Sequence, residues 1–125
     1  MNILIIEDDK VTLKTLEYII QNLGHHVRPA ESGEEALKFM ENEKFDLIIS
    51  DIIMPGISGL SLVNVLRTVN LFCSPIIMIS ALHNKPLLEA AFEAGANDFI
   101  PKPFTIESLT DKLNKYDKNI LKEKN

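Results

Sequence analysis

The sequence predicts an α/β fold in which a five-stranded parallel sheet carries helices on both faces. Short apolar runs rich in β-branched residues alternate with longer segments whose apolar residues recur every three or four positions. Strand–helix alternation implies right-handed crossovers and therefore parallel strands in one sheet. The first run does not alternate with polar residues, which is typical of a strand buried on both faces. The length of 125 residues suits one domain.

Five segments fit the strands of such a sheet. They are "NILII" at 2–6, "HHVRPA" at 25–30, "FDLIIS" at 45–50, "PIIMIS" at 75–80 and "NDFI" at 97–100. The second segment is the weakest of these, and its Pro29 has no N–H to donate to a neighbouring strand. We therefore expect this strand near an edge of the sheet.

Five helical segments lie after these strands. They are "LKTLEYIIQNLG" at 13–24, "SGEEALKFM" at 32–40, "LSLVNVLRTV" at 60–69, "KPLLEAAFEAG" at 85–95 and "TIESLTDKLNKYDKNIL" at 105–121. Ser32 and Glu35 have the spacing of a capping box, and Thr105 is the expected cap of the last helix. That helix is expected to turn four apolar residues inward: Ile106, Leu109, Leu113 and Ile120. The domain is predicted to span residues 1–121, with 122–125 as a tail or the start of a linker.

Composition excludes several classes of protein. The net charge of -5 and the pI of about 5.1 argue against nucleic-acid binding by this domain. A single cysteine, Cys73, allows neither an intramolecular disulfide nor a cysteine metal cluster, and it fits a reducing compartment. The start lacks the basic and long apolar regions of a signal peptide, and no apolar run approaches the ~20 residues of a membrane span. We expect a cytoplasmic protein without a membrane partner.

Polar residues with chemical potential follow four of the predicted strands. In an open parallel sheet, ligands bind outside the carboxyl ends of the strands. The residues found there are Glu7, Asp8 and Asp9 after the first strand, Asp51 after the third, Ser80 at the end of the fourth, and Lys102 after the fifth. If the first and third strands are neighbours, at least three carboxylates converge at one edge.

Such a cluster needs a cation. Two like charges ~4 Å apart repel by about 4 kcal/mol at an effective dielectric constant near 20. An oxygen-only cluster without histidine or cysteine favours Mg²⁺ over zinc, and no calcium-binding loop motif is present. A carboxylate can accept a phosphoryl group covalently, and Lys102 would add a second positive charge. The hypothesis is therefore a phosphoryl site in which Asp51 is the nucleophile.

The motifs in their order and spacing resemble the receiver domain of two-component response regulators. The resemblance covers essentially the whole chain, through "ILIIEDD", "DIIMPGISGL", "PIIMISA" and "EAGANDFIPKPF". It implies the flavodoxin-like, doubly wound receiver fold with strand order 2-1-3-4-5.

The resemblance also implies the metal ligands. Glu7 and Asp8 correspond to the acidic pair, because counting back from Gly24 at the end of the first helix places the pair there. Asp8, Asp51 and the backbone carbonyl of Ile53 would bind Mg²⁺ directly, and Glu7 would act through water.

The phosphoacceptor and the switch residues follow by the same correspondence. Asp51 is implied as the phosphoacceptor, Ser80 as the switch hydroxyl and Lys102 as the partner of the phosphoryl group. The Lys102–Pro103 peptide is expected to be cis, and Phe99 corresponds to the aromatic switch residue.

The implied function is signalling by phosphoryl transfer. A histidine kinase or a phosphotransfer protein would donate its phosphoryl group to Asp51, and the domain would catalyse its own phosphorylation. The face formed by the fourth helix, fifth strand and fifth helix would then change shape and bind a downstream protein, a covalently linked output domain or a second copy of the chain.

Two positions depart from the usual family pattern. Ile53 and Leu82 stand two residues beyond Asp51 and Ser80, where many members have a polar side chain. Apolar cover there would exclude attacking water and lengthen the phosphorylated lifetime. Phe99 has no hydroxyl, so packing alone would determine its orientation.

Three other kinds of protein share part of this pattern. A haloacid-dehalogenase-like phosphatase also uses an aspartate, a hydroxyl, a lysine and Mg²⁺, but its nucleophile lies on an early strand in a D-x-D pattern. A pseudo-receiver would keep the fold as an interaction module without phosphorylation. An FMN-binding flavodoxin would need a phosphate-binding loop where this chain has "EDD".

Overall fold

Five strands alternate with five helices along the chain, as the sequence predicts. The computed structural model describes residues 1–118. The strands are β1 (Asn2–Ile6), β2 (His26–Ala30), β3 (Leu47–Asp51), β4 (Ile76–Ser80) and β5 (Asp98–Pro101). The helices are α1 (Lys10–Asn22), α2 (Gly33–Asn42), α3 (Gly59–Thr68), α4 (Lys85–Ala94) and α5 (Ile106–Tyr116).

The strands form one parallel sheet in the order β2-β1-β3-β4-β5, which confirms the predicted order. β2 lies at one edge, where Pro29 stands opposite Ile5 of β1. The position of Pro29 follows from its missing N–H, because an edge strand does not need every donor. β1 and β3 are neighbours, so the carboxyl ends of the two acid-bearing strands meet.

The sheet is buried on both faces. Successive side chains of a strand point to opposite faces, so Ile3 and Ile5 of β1 pack in one apolar cluster and Leu4 and Ile6 in the other. The first cluster includes residues of α1 and α5, and the second includes residues of α2, α3 and α4. Covering both faces explains why the strand sequences are continuously apolar.

Each helix begins after a residue whose side chain accepts a hydrogen bond from the backbone N–H three positions on. These residues are Asp9, Ser32, Ser58, Asn84 and Thr105. The capping box predicted at Ser32 is only half formed, because the Glu35 carboxylate accepts from the N–H of Glu31 instead of that of Ser32. Thr105 forms a complete box with Ser108.

The last helix differs from its prediction. Leu109 and Leu113 are buried, but Ile106 is 61% exposed. Ile106 is the first residue of α5, and the buried residues Leu109 and Leu113 lie one and two turns further along the helix. α5 ends at Tyr116, and the predicted inward position of Ile120 and the boundary at 121 lie outside the described residues. None of the helices within residues 1–118 has the length and apolar character to cross a membrane.

Candidate functional site

The site lies at the carboxyl ends of β1, β3 and β5. Asp51 is the last residue of β3 and is 6% exposed. Glu7 follows β1 directly and is completely buried, whereas the next residue, Asp8, is exposed. Because Ile6 of β1 is in register with Ser50 of β3, Glu7 and Asp51 lie at the same level of the sheet.

Lys102 joins the two buried carboxylates. Its Nζ donates to Asp51 Oδ2 at 2.9 Å and also to Glu7 Oε1. The residue follows β5, and its backbone N–H donates to the carbonyl of Ser80 at 2.9 Å. The Lys102–Pro103 peptide bond is cis, as the resemblance implies. The lysine therefore reaches the acids from the far side of β4.

Burial shapes the ionisation of this cluster. Burial raises the pKa of Glu7 to about 7, with the neighbouring Asp51 acting in the same direction and Lys102 opposing it. Burial alone would lower the pKa of Lys102, but its hydrogen bonds to Glu7 and Asp51 outweigh burial and raise it. Glu7 Oε2 is buried and accepts no hydrogen bond from the described residues. A buried carboxylate oxygen normally accepts a hydrogen bond or contacts a cation, and Glu7 Oε2 does neither within residues 1–118.

These residues fit a hard divalent cation. Carboxylate oxygens of Glu7, Asp8 and Asp51 lie within 4.8 Å of one another. Oxygen donors of this kind suit Mg²⁺, and the unpartnered Oε2 of Glu7 would gain from a cation or its bound water. The N–H of Ile53 donates to Asp51 Oδ1 at 3.1 Å, so the backbone of Ile53 lies beside the same carboxylate.

The start of α3 holds the backbone behind Asp51. The N–H of Gly59 donates to the carbonyl of Ile52 at 2.8 Å. A Cβ atom at Gly59 would lie 2.1 Å from the carbonyl oxygen of Asp51, so no side chain fits here. This close approach closes the loop between Asp51 and α3 into a compact turn.

The two predicted switch residues lie on the neighbouring strands. Ser80 ends β4, is 1% exposed, and its Oγ accepts the N–H of Leu82 at 3.1 Å. A hydroxyl that accepts this bond retains its own proton for donation. Phe99 is half-buried on β5, and its ring meets that of His83 edge-on at a centroid distance of 6.3 Å.

The structure brings together Glu7, Asp8, Asp51 and Lys102, as predicted. Ile53 and Leu82 are half-exposed, at 52% and 53%, in the loops that follow β3 and β4. Sequence patterns did not single out Glu34, whose carboxylate accepts the N–H of Ile57 in the loop after Asp51. No motif signals this contact, because it joins an exposed residue to a half-buried one 23 positions further along the chain.

Comparison with known proteins agrees with this geometry. A family model described as the response regulator receiver domain matches residues 3–114. A cyclic di-GMP phosphodiesterase of Thermotoga maritima is 34% identical over 90% of this chain, which covers 30% of that protein. The chain spans about half the length of the next curated relatives it matches.

Solved structures include two informative neighbours. The chemotaxis protein CheY4 of Vibrio cholerae superposes with a TM-score of 0.88 at 27% identity, over 93% of this chain and 98% of that one. The receiver domain of the sensor histidine kinase PA1611 of Pseudomonas aeruginosa has a TM-score of 0.83 at 29% identity, over 92% and 95% of the two chains. That structure holds a magnesium ion in its active-site cleft. The family model matches residues 3–114, and the fold and the acidic cluster at the sheet edge agree with that match. The chain therefore belongs to the response regulator receiver domain family.

Proposed function

We propose that this chain accepts a phosphoryl group on Asp51 in a Mg²⁺-dependent reaction. One observation carries the proposal: three carboxylates meet within 4.8 Å at the sheet edge, and the ammonium group of Lys102 contacts two of them. Such a cluster provides a nucleophile, a cation site and a fixed positive charge in one place. The donor is a phosphohistidine on a histidine kinase or on a phosphotransfer protein.

The reaction is an in-line displacement at phosphorus. A carboxylate oxygen of Asp51 forms the new P–O bond while the P–N bond of the phosphohistidine breaks. The leaving imidazole keeps that electron pair, and its ring is neutral once it takes up a proton. The Ile53 N–H at Oδ1 and the Lys102 ammonium at Oδ2 orient the Asp51 carboxylate for attack.

Charge on the transferring oxygens is offset by the residues around Asp51. Lys102 is positioned to follow the phosphoryl group once Asp51 is esterified. Asp8, Asp51 and the carbonyl of Ile53 would hold Mg²⁺ directly, with Glu7 acting through a bound water. The bound cation would lower the barrier by stabilising negative charge on the phosphoryl oxygens.

The phosphorylated state is transmitted through Ser80 and Phe99. The Ser80 hydroxyl donates to a phosphoryl oxygen, which draws the loop after β4 towards the site. This movement alters the packing around Phe99, whose ring now contacts His83 in that loop. Because the phosphoryl group favours one of two arrangements, the result is a shift in their populations.

The face formed by α4, β5 and α5 is the proposed output surface. It binds a downstream protein, a linked output domain or a second copy of the chain. We place this step in the cytoplasm, because the single cysteine favours a reducing compartment.

The test is the intact mass of the protein after incubation with a small-molecule phosphodonor and Mg²⁺. We expect a gain of one phosphoryl group that disappears in Asp51→Asn and in the absence of a divalent cation. Circular dichroism of each sample establishes that the protein is folded. A folded, metal-supplied protein that gains no mass would contradict the proposal and support the pseudo-receiver alternative.

A further inference from the structure

Four hydrogen bonds from backbone N–H groups hold the loop between β3 and α3, and the first joins Ile52 to the carbonyl of Ile79 on β4 at 3.2 Å. At its start, the N–H of Ile53 donates to the Asp51 carboxylate, and at its end the N–H of Gly59 donates to the carbonyl of Ile52. Between these, the N–H of Ile57 donates to Oε1 of Glu34 on α2 at 3.2 Å. The bond to Glu34 joins the second half of the loop to α2.

The contact between Glu34 and the loop is built closely. Gly56 has φ +78, and a Cβ atom there would lie 2.9 Å from Glu34 Oε1. On the helix side, a Cβ at Gly33 would lie 3.2 Å from Cβ of Ile57. Two glycines therefore allow α2 and the loop to approach each other. Hydrogen bonds from its own backbone N–H and from that of Ile57 lower the pKa of Glu34, so the carboxylate is charged at neutral pH.

We propose that Glu34 is a positioning residue whose carboxylate holds the β3–α3 loop in the shape that presents the Ile53 carbonyl to the cation. This inference rests on the proposed function, because it assigns Glu34 a part in cation binding at the same site. Met54 is buried and anchors the middle of the loop. Glu34 holds the second half of the loop, between Gly56 and α3, through its hydrogen bond with the N–H of Ile57.

Loss of this tie leaves the loop more conformations in the metal-free protein, and cation binding must then order them. The affinity for Mg²⁺ falls, whereas the chemistry at saturating Mg²⁺ is unchanged. Glu34→Ala should raise the Kd for Mg²⁺ about threefold or more, in keeping with the loss of one backbone hydrogen bond. Phosphorylation should slow at low Mg²⁺ and recover at high Mg²⁺.

Two variants separate the hydrogen bond from the charge. Glu34→Gln removes the negative charge but keeps an oxygen that can accept the Ile57 N–H, so its Kd should stay within about twofold of wild type. Glu35→Ala is the matched control, because Glu35 is also in the first turn of α2 and its carboxylate also accepts one backbone N–H, that of Glu31. This variant loses the same charge and the same kind of bond without touching the loop.

The measurement is a Mg²⁺ titration followed by backbone amide NMR shifts, with thermal melting of every variant. Weakened binding in Glu34→Ala alone, with a shifted Ile57 amide signal, is the expected result. Equal weakening in Glu34→Ala and Glu34→Gln would mean that only charge matters and would overturn the inference, as would unchanged affinity in Glu34→Ala. A wild-type protein that binds no Mg²⁺ would instead overturn the proposed function and the inference with it.

Discussion

The carboxylates of Glu7, Asp8 and Asp51 face one another at the sheet edge, and Lys102 contacts only two of them, Glu7 and Asp51. Without a bound cation, this arrangement lowers the stability of the fold, because like charges repel and Glu7 Oε2 accepts no hydrogen bond within residues 1–118. Function and stability therefore make opposite demands on these residues.

Replacing Asp8 by asparagine tests this conflict. Removal of one like charge from the cluster should raise the Tm in metal-free buffer by roughly 3 °C. Millimolar Mg²⁺ should raise the Tm of the wild type by mass action, but not that of Asp8→Asn, which lacks a ligand. Differential scanning calorimetry with and without Mg²⁺ measures both effects. Equal stabilisation of the two proteins by Mg²⁺ would show that Asp8 is not a ligand.

Ile53 offers a second test at the same scale, on the lifetime of phosphorylated Asp51. Its side chain is apolar and half-exposed, and its backbone lies beside Asp51, the proposed phosphoacceptor, so we expect it to hinder an attacking water. Ile53→Asn keeps the backbone carbonyl and should shorten the half-life of the phosphorylated protein several-fold, as measured by loss of the added mass over time.

Val69→Asn provides the matched control for that lifetime. Val69 is an exposed apolar residue at the C-cap of α3, at the opposite end of the helix from the site. Its substitution should leave the half-life unchanged. A wild-type half-life of only seconds would contradict the protective role of Ile53.

The position of the site residues could be predicted from sequence, because each acid or base lies at or just after the end of an apolar strand and parallel strands present their ends at one edge. Contacts between helices and loops could not. Glu34 and Ile57 meet because α2 and the loop pack closely at Gly33 and Gly56, and that packing depends on the whole second face of the sheet.

Among the secondary-structure elements, β5 and α5 are joined by charge as well as by apolar packing. Asp98, at the start of β5, is 8% exposed. It accepts hydrogen bonds from Lys112 at 2.6 Å, from Lys115 at 3.0 Å and from the Tyr116 hydroxyl at 2.8 Å. Burial alone would raise the pKa of Asp98, but these bonds outweigh it and hold the pKa well below 3.8.

This network predicts a pH-dependent contribution to stability. Since the pKa of Asp98 is lowered on folding, its stabilising effect is present above pH 3.8 and is lost as the pH falls towards the folded-state value. Asp98→Asn should lower the free energy of unfolding at pH 7 by about 1–3 kcal/mol, and the difference from wild type should shrink below pH 4. Urea titrations at several pH values provide the measurement.

Asp111→Asn serves as the comparison, because Asp111 is an exposed carboxylate on the same helix. Its effect should be small at every pH tested. If Asp98→Asn destabilised the protein equally at pH 7 and at a pH well below 3.8, close to the folded-state pKa of Asp98, the loss would come from packing and not from the charged network.

Hydrogen bonds from Arg67 hold α3 against the segments that lead into β4 and β5, at the end of the sheet away from the site. The Arg67 guanidinium donates to the carbonyls of Phe72, Ser74 and Gly95 and to Oδ1 of Asn97. It thereby links α3 to the segments that enter β4 and β5. Periodicity predicted α3 itself but not these contacts, since a half-buried arginine on a helix has no sequence signature for its partners.

The ends of the helices also show which features follow from neighbouring residues and which depend on the rest of the fold. Thr105 marked the start of α5 correctly, because a cap forms from neighbouring residues alone. The prediction that Ile106 points inward was wrong. Helical periodicity gives the direction of a side chain around the helix axis, but it does not show which turns of the helix are covered by other elements. The Glu35 side chain bonds Glu31 because that N–H is also available at the turn before the helix.

Across the whole molecule, the site and the proposed output surface have one element in common, β5. The backbone N–H of Lys102 donates to the carbonyl of Ser80, and Phe99 lies further from the site along β5, opposite Met78 of β4. Phosphorylation should therefore change more than the acidic edge. We expect altered hydrogen exchange in residues 81–84 and in β5, and little change in β2.

Hydrogen exchange with mass spectrometry, comparing phosphorylated protein with Asp51→Asn treated in the same way, measures this spread. Changes confined to residues 52–58 would contradict coupling to the α4–β5–α5 face. Size-exclusion chromatography of the same samples determines whether a second copy of the chain binds there.

The late position of Lys102 in the sequence determines when the site is completed during synthesis of the chain. Lys102 follows Glu7 by 95 positions and Asp51 by 51 in the chain. At about 5–20 residues per second, synthesis delivers the lysine several seconds after the acids it neutralises. Until then the nascent chain has neither its fifth strand nor the fixed positive charge of Lys102, so the proposed phosphoryl site is complete only once β5 and the residue after it have been made.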